Sequence, residues 1–144
     1  MNYKIVISEE QDEDIIILAK KASPALSKIE EILSEENDIK IYGYTDSDAI
    51  LLNIDDIFCF STEGGRVYAI TENKKLLVRE RIYRLEDTFS DELVKINQSC
   101  LIAISKIERF RTTLGGSLQV ILKNGYTDFV SRRQIKEVKR RMGI

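Results

Sequence analysis

The chain is 144 residues long, 43% apolar and 32% charged, the composition of one ordinary globular domain, which excludes a large multidomain machine and a disordered chain alike. A net charge of −2 hides an asymmetry: residues 1–43 carry five basic and ten acidic side chains, whereas residues 131–144 carry six basic ones against Glu137 alone, so positive charge gathers at one end, as it does both on surfaces that meet phosphate and on a solvated C-terminal helix. With no histidine and only two cysteines, the chain lacks the groups for Ser–His–Asp or Cys–His nucleophiles and for the common zinc and facial-triad metal sites, and neither an enzyme nor a cofactor is expected.

Residues 3–7 and 14–18 are short β-branched runs separated by an acidic turn, which predicts two strands. They show neither the basic start nor the apolar core of a secretory signal. Apolar runs such as Ile15–Ala19 and Ala49–Leu52 fall far below the ~20 residues that cross a bilayer as a helix. A cytoplasmic chain without membrane insertion is expected. Ser23-Pro24 announces a helix over 24–35: serine accepts a bond from the first-turn amides, proline suits the first helical position, and Leu26, Ile29, Ile32 and Leu33 follow at helical spacing. This acidic β-β-α segment, residues 1–43, is too small to hold a core alone and is expected to dock on the remainder of the chain or to mediate dimerisation.

From Ile39 onward short apolar runs alternate with turn residues. Strands are predicted over Ile39–Tyr44, Ala49–Ile54, Ile57–Ser61, Arg66–Thr71, Leu76–Arg79, Leu93–Ile96, Cys100–Ile104, Ile107–Phe110, Leu118–Leu122 and Thr127–Val130. Gly64-Gly65 and Asn124-Gly125 supply the positive φ values of tight hairpins, and Gly115-Gly116 supplies a further bend. A helix is predicted at 80–89, where Ile82, Leu85, Glu86 and Phe89 recur at spacings of three and four, and it is expected to bridge two β layers. The last segment, Arg133–Met142, sets Ile135, Val138 and Met142 on one stripe with Lys136, Lys139 and Arg140 turned away, which predicts a short helix packed by its apolar edge. Cys59 and Cys100 each sit in an apolar run and read as reduced core residues.

Three of these stretches carry a resemblance. Residues 54–71, Ile-Asp-Asp-Ile-Phe-Cys-Phe-Ser-Thr-Glu-Gly-Gly-Arg-Val-Tyr-Ala-Ile-Thr, form a strand, a glycine hairpin and a return strand similar to the opening of LytTR-type DNA-binding domains. Phe89 followed by Leu93-Val94-Lys95-Ile96-Asn97-Gln98-Ser99-Cys100-Leu101-Ile102-Ala103-Ile104-Ser105-Lys106-Ile107 resembles that family's central motif. Leu122-Lys123-Asn124-Gly125, then Val130-Ser131-Arg132-Arg133, resembles its closing hairpin and Ser-Arg-Arg element. The three occur in the family's order and spacing across about residues 45–144. The chain departs at Asn97, where many members have histidine or another basic or polar residue, and at Ala103, where they have asparagine.

The resemblance implies a mainly β fold over residues 44–144: stacked antiparallel sheets with short helices, a LytTR-like β sandwich that reads DNA with loops. It implies a transcriptional regulator whose partner is double-stranded DNA, with paired promoter repeats bound by two copies as a homodimer. Carried over by position, base contacts come from Arg66, Asn97, Gln98 and Arg133. The chemistry of these side chains agrees, since an arginine fork matches guanine O6 and N7 and a carboxamide matches adenine N6 and N7. Lys95, Ser99, Ser131, Arg132, Lys136 and Lys139 suit phosphate, which fixes register without reading sequence. Arg111, in the 111–117 loop, reads as an exposed hairpin charge. A second function class is a protein-interaction module, in which the acidic N-terminal segment and an exposed β edge recruit a regulatory protein partner. Many members of the family carry a receiver domain of over a hundred residues. Residues 1–43 are too few to contain one, so control by aspartyl phosphorylation within this chain is not expected.

Overall fold

Ten strands and three helices form among the residues that the computed structural model describes, 16–36 and 40–144. The chain divides into two units, Met1–Glu36 and Asn37–Ile144. In the first, helix α1 (Pro24–Glu36) starts as its sequence dictates: Ser23 Oγ accepts a bond from Leu26 N at 3.2 Å, and Ser27 N donates to Ser23 O at 3.1 Å. Ile29 and Ile32 on its apolar stripe are exposed. The strand expected at 3–7 lies outside the described residues. Of the one expected at 14–18, the described part, Ile16–Leu18, has no regular structure and is exposed, and it enters neither described sheet.

In the second unit, β1 (Ile41–Tyr44), β2 (Ala49–Leu52), β3 (Cys59–Glu63), β4 (Arg66–Ile70), β5 (Lys75–Val78), β6 (Leu93–Asn97) and β7 (Cys100–Ala103) make one antiparallel sheet in the order β2-β1-β5-β4-β3-β7-β6. Strands β8 (Ile107–Thr112), β9 (Leu118–Leu122) and β10 (Thr127–Val130) make a second, in the order β10-β9-β8. The fold is mainly β with stacked antiparallel sheets. Strand β1 spans the division expected between residues 43 and 44 and pairs with β2 from Ile41↔Leu52 to Tyr44↔Ala49, so these residues belong to the large sheet. One close approach there requires glycine: a Cβ on Gly43 would sit 2.8 Å from Leu76 Cβ.

Alternation along the strands sorts the core onto the two faces of the large sheet. Cys59, Val94, Cys100 and Ile102 turn toward Leu118 and Leu122 of the small sheet, while Phe60, Ala69, Leu93 and Leu101 form a separate buried cluster on the other face. Helix α2 (Ile82–Thr88) covers that second face through the fully buried Leu85. It therefore does not bridge the two β layers. It links β5 to β6, both in the large sheet, and closes the face that the small sheet leaves open. Helix α3 (Arg132–Met142) packs Ile135, Val138 and Met142 against the inter-sheet cluster. Burial of Val138, which has no exposed surface, contributes about 1.5–3 kcal/mol to that docking.

Cys59 and Cys100 are buried and free. A hydrogen bond between the two thiols, together with burial, pushes the Cys59 thiol far above its ordinary range. Burial also raises the Tyr126 hydroxyl, whose oxygen lies 3.9 Å from Cys100 Sγ. These groups stay protonated and fill space between the sheets.

Candidate nucleic-acid interface

Three connections meet at one end of the large sheet. The β6–β7 turn is held beside the β3–β4 hairpin because Thr62 N donates to Ser99 O at 2.7 Å, continuing the β3–β7 ladder beyond Ser61↔Cys100. Strand β6 is an edge of the large sheet, so its outer carbonyls are open to other partners. Ser131 N donates to Ile96 O at 2.8 Å, and Asn97 Nδ2 donates to Phe129 O at 3.0 Å. These bonds fasten the β10–α3 junction to β6 and set the first turn of α3 next to the β6–β7 turn.

Arg66 is exposed where β4 leaves the Gly64-Gly65 turn, whose φ values of 57° and 77° are the left-handed pair that a two-residue hairpin needs. Gln98 is exposed at the β6–β7 turn, and Arg66 and Gln98 line one groove of about 840 Å³. Arg132 and Arg133 are exposed in the first turn of α3, with Lys136 one turn further on. Ser131 precedes the helix without using its hydroxyl to cap it, and Ser99 is exposed beside Gln98.

The other expected contacts differ in exposure or in position. Asn97 is half-buried and its carboxamide is engaged at both ends, donating to Phe129 O and accepting from Ser99 N at 2.9 Å. One N–H and one lone pair remain to it. Lys95 is half-buried in a hollow shared with Glu86, Gln134 and Arg141, between the two helices. Lys139 lies in the last turn of α3, ~10 Å along the axis from Arg132 at 1.5 Å per residue.

The basic C-terminal block is heterogeneous. Arg141 inserts its fork inward, Nη1 to Leu93 O and Nη2 to Ser90 O, both at 2.7 Å, and so ties α3 to the start of β6. Arg140 forks onto Glu137 and holds that exposed carboxyl below its usual range. Arg132, Arg133, Lys136 and Lys139 form no ion pair among the described residues. Within the block, these four are the cations available to an outside anion.

Sequence reasoning missed Arg79 and Arg81, which line the same groove as Arg66 and Gln98. A signal was present: a β4–β5 hairpin turning at 71–74 puts Val67 opposite Val78, and one step further puts residue 66 opposite 79. Among the described residues, no three acidic or cysteine side chains gather as a metal would require, and no helix is long and apolar enough to cross a membrane.

This geometry has relatives. A family model described as the LytTr DNA-binding domain matches residues 47–143. Two curated proteins of Staphylococcus aureus, from strains NCTC 8325 and COL and each described as an uncharacterized HTH-type transcriptional regulator, are 28% identical over 120 residues, covering 81% of this chain and 82% of theirs. Among solved structures, the LytTr DNA-binding domain of a methyl-accepting/DNA response regulator from Bacillus cereus matches with a TM-score of 0.69 at 12% identity, covering 74% of this chain and 100% of that one.

Proposed function

Because the chain belongs to the LytTr DNA-binding domain family and is on that ground a DNA-binding transcriptional regulator, we propose that it reads promoter repeats in double-stranded DNA through loop residues in the major groove, as a dimer. The observation that carries this reading is the convergence of exposed Arg66, Gln98 and Arg133 on three connections joined by backbone hydrogen bonds. A rigid mount of this kind lets side chains enter a groove without first ordering a loop.

In this reading Arg133 presents its fork to guanine and Gln98 its carboxamide to adenine, with Arg66 reaching the groove from the glycine hairpin. Asn97 chiefly holds the turn that presents Gln98, and its remaining N–H and lone pair face the same bases. Ser99, Ser131, Arg132 and Lys136 take phosphates, helped by the amide dipoles at the start of α3. Lys95 and Lys139 lie at the margin of this footprint and add long-range attraction. The HTH-type description belongs to the relatives: here α2 and α3 are separated by five strands, β6 to β10, and no helix pair enters the groove as a unit.

Exposed Ile16, Leu18 and Ile32 in the first unit favour its use in self-association or in capture of a regulatory protein partner. Sedimentation of the full chain carrying Ile32→Glu tests this, with a dimer shifting toward monomer; an unchanged dimer refutes the role of α1. Selection of bound duplexes from a random pool tests the main reading. It is expected to return a repeated consensus, and failure to bind any duplex at low salt would overturn the reading.

A further inference from the structure

We propose, resting on the reading that the chain binds duplex DNA, that Arg79 and Arg81 form a second phosphate-binding strip beside the reading end, which takes the sugar–phosphate backbone flanking the base contacts. The groove of about 840 Å³ that holds Arg66 and Gln98 is also lined by Arg79 and Arg81, with Glu80 its one acid. A duplex that meets Gln98 therefore runs past both arginines.

The local charge arrangement calls for an anion from outside. Val67 pairs with Val78, and the next residues outward are Arg66, which starts β4, and Arg79, one residue beyond the end of β5. Like charges brought together on neighbouring strands repel. The nearby acids are bonded to other cations: Glu63, opposite Arg66 on β3, is bonded to Lys75 at 2.5 Å, and Glu80 lies 3.9 Å from Arg84. Arg66, Arg79 and Arg81 thus have no carboxylate partner among the described residues.

Two of these arginines sit where function explains them better than folding does. The Arg79 guanidinium lies 4.0 Å from the centroid of the Tyr44 ring, a stack that fixes its plane without using its N–H donors. Arg81 occupies the residue before α2 and makes no side-chain capping bond, although serine, threonine or aspartate there would stabilise the helix. Both are exposed. A backbone phosphate provides the missing negative charge and accepts from both forks.

The test is fluorescence anisotropy of the full chain with a random-sequence duplex pool of about 30 base pairs, from about 50 to 200 mM salt. Arg79→Ala and Arg81→Ala are each expected to make the log–log salt slope shallower by about 0.9 and to weaken binding roughly five- to tenfold near 0.1 M salt, equally on all sequences. Arg79→Lys keeps the slope. Lys74→Ala, in the turn at the opposite end of β4 and β5, also leaves it unchanged. Thermal melts check that each variant folds, and Arg79→Gln reads the same slope if the alanine variant does not. Unchanged slopes with normal wild-type binding overturn the strip and leave the regulator reading intact, whereas a wild type that binds no duplex overturns both. Saturable binding of inorganic phosphate that is lost in the double variant, with the duplex slope unchanged, would assign the groove to a free anion and overturn the backbone assignment.

Discussion

Asn97 and Asn124 do the same work at opposite ends of the sandwich. Each accepts through Oδ1 from the backbone N–H two residues on, Ser99 at 2.9 Å and Tyr126 at 3.0 Å, and each donates through Nδ2 to a carbonyl across the inter-sheet gap, Phe129 at 3.0 Å and Thr71 at 3.3 Å. The cations around them differ, with one exception: Lys74, in the turn beside Asn124, is exposed and forms no ion pair among the described residues. Beside Asn124, Lys123 Nζ donates to Ser105 O at 3.0 Å and Lys106 lies 5.0 Å from the Phe58 ring centroid. Beside Asn97, exposed Arg66, Arg132 and Arg133 have no ion-pair partner among the described residues. The two ends teach that a cationic surface becomes a candidate interface through charges its own chain leaves unengaged, and that a count of basic residues does not separate the two cases.

The largest expected effect separates the cations of the two ends. Arg133→Ala should weaken a selected duplex by about 1–3 kcal/mol while changing random duplex less; Lys123→Ala should leave the preference for the selected duplex intact. Competition binding with both duplexes measures this. An equal loss on both duplexes would remove Arg133 from base reading and leave it among the phosphate contacts.

The asparagines provide the next test. Asn97→Ala and Asn124→Ala each delete two hydrogen bonds of about 0.5–1.5 kcal/mol apiece, so each should lower stability by about 1–3 kcal/mol in a urea titration. Only Asn97→Ala should also weaken DNA binding, because it releases the turn that carries Gln98. Equal loss of binding in the two variants would show that general loosening of the sandwich, and not the local mount, sets affinity.

The last test concerns the interior that both ends share. Cys59 and Tyr126 have ordinary values of 9.0 and 10.0, and both are raised in the folded chain. The unfolded chain therefore loses these protons first as pH rises, and stability that is complete below about pH 9 should decline above it, by up to ~1.4 kcal/mol per pH unit for each group. Urea midpoints between pH 7 and 11 check the sign. Tyr126→Phe should reduce the alkaline decline, and an undiminished decline in that variant would assign it elsewhere.

Local signals in the sequence carried the elements well. Ser23-Pro24 marked the start of α1, Gly64-Gly65 marked the hairpin that presents Arg66, and Leu118–Leu122 and Thr127–Val130 form strands with the bounds expected of them. The position of α2 was not legible, because the spacing of Ile82, Leu85 and Phe89 reveals an inner stripe but not which face of a sheet receives it. The candidate site was legible as a set of loops and cations. Which cations stay available was not, since Arg141 and Arg133 look alike in sequence until carbonyls 48 and 51 residues away take the Arg141 fork. The engagement of Asn97 likewise depends on Phe129, 32 residues on, a distance over which composition and periodicity carry no information.

Amide shift mapping by NMR, as a duplex chosen by the chain from a random pool is titrated in, tests the central claim most directly. Changes are predicted at Gly65, Arg66, Gln98, Ser99, Arg132 and Arg133, with the Thr71–Lys74 and Lys123–Gly125 turns unaffected. Changes centred on those two turns, with the Asn97 end silent, would contradict it.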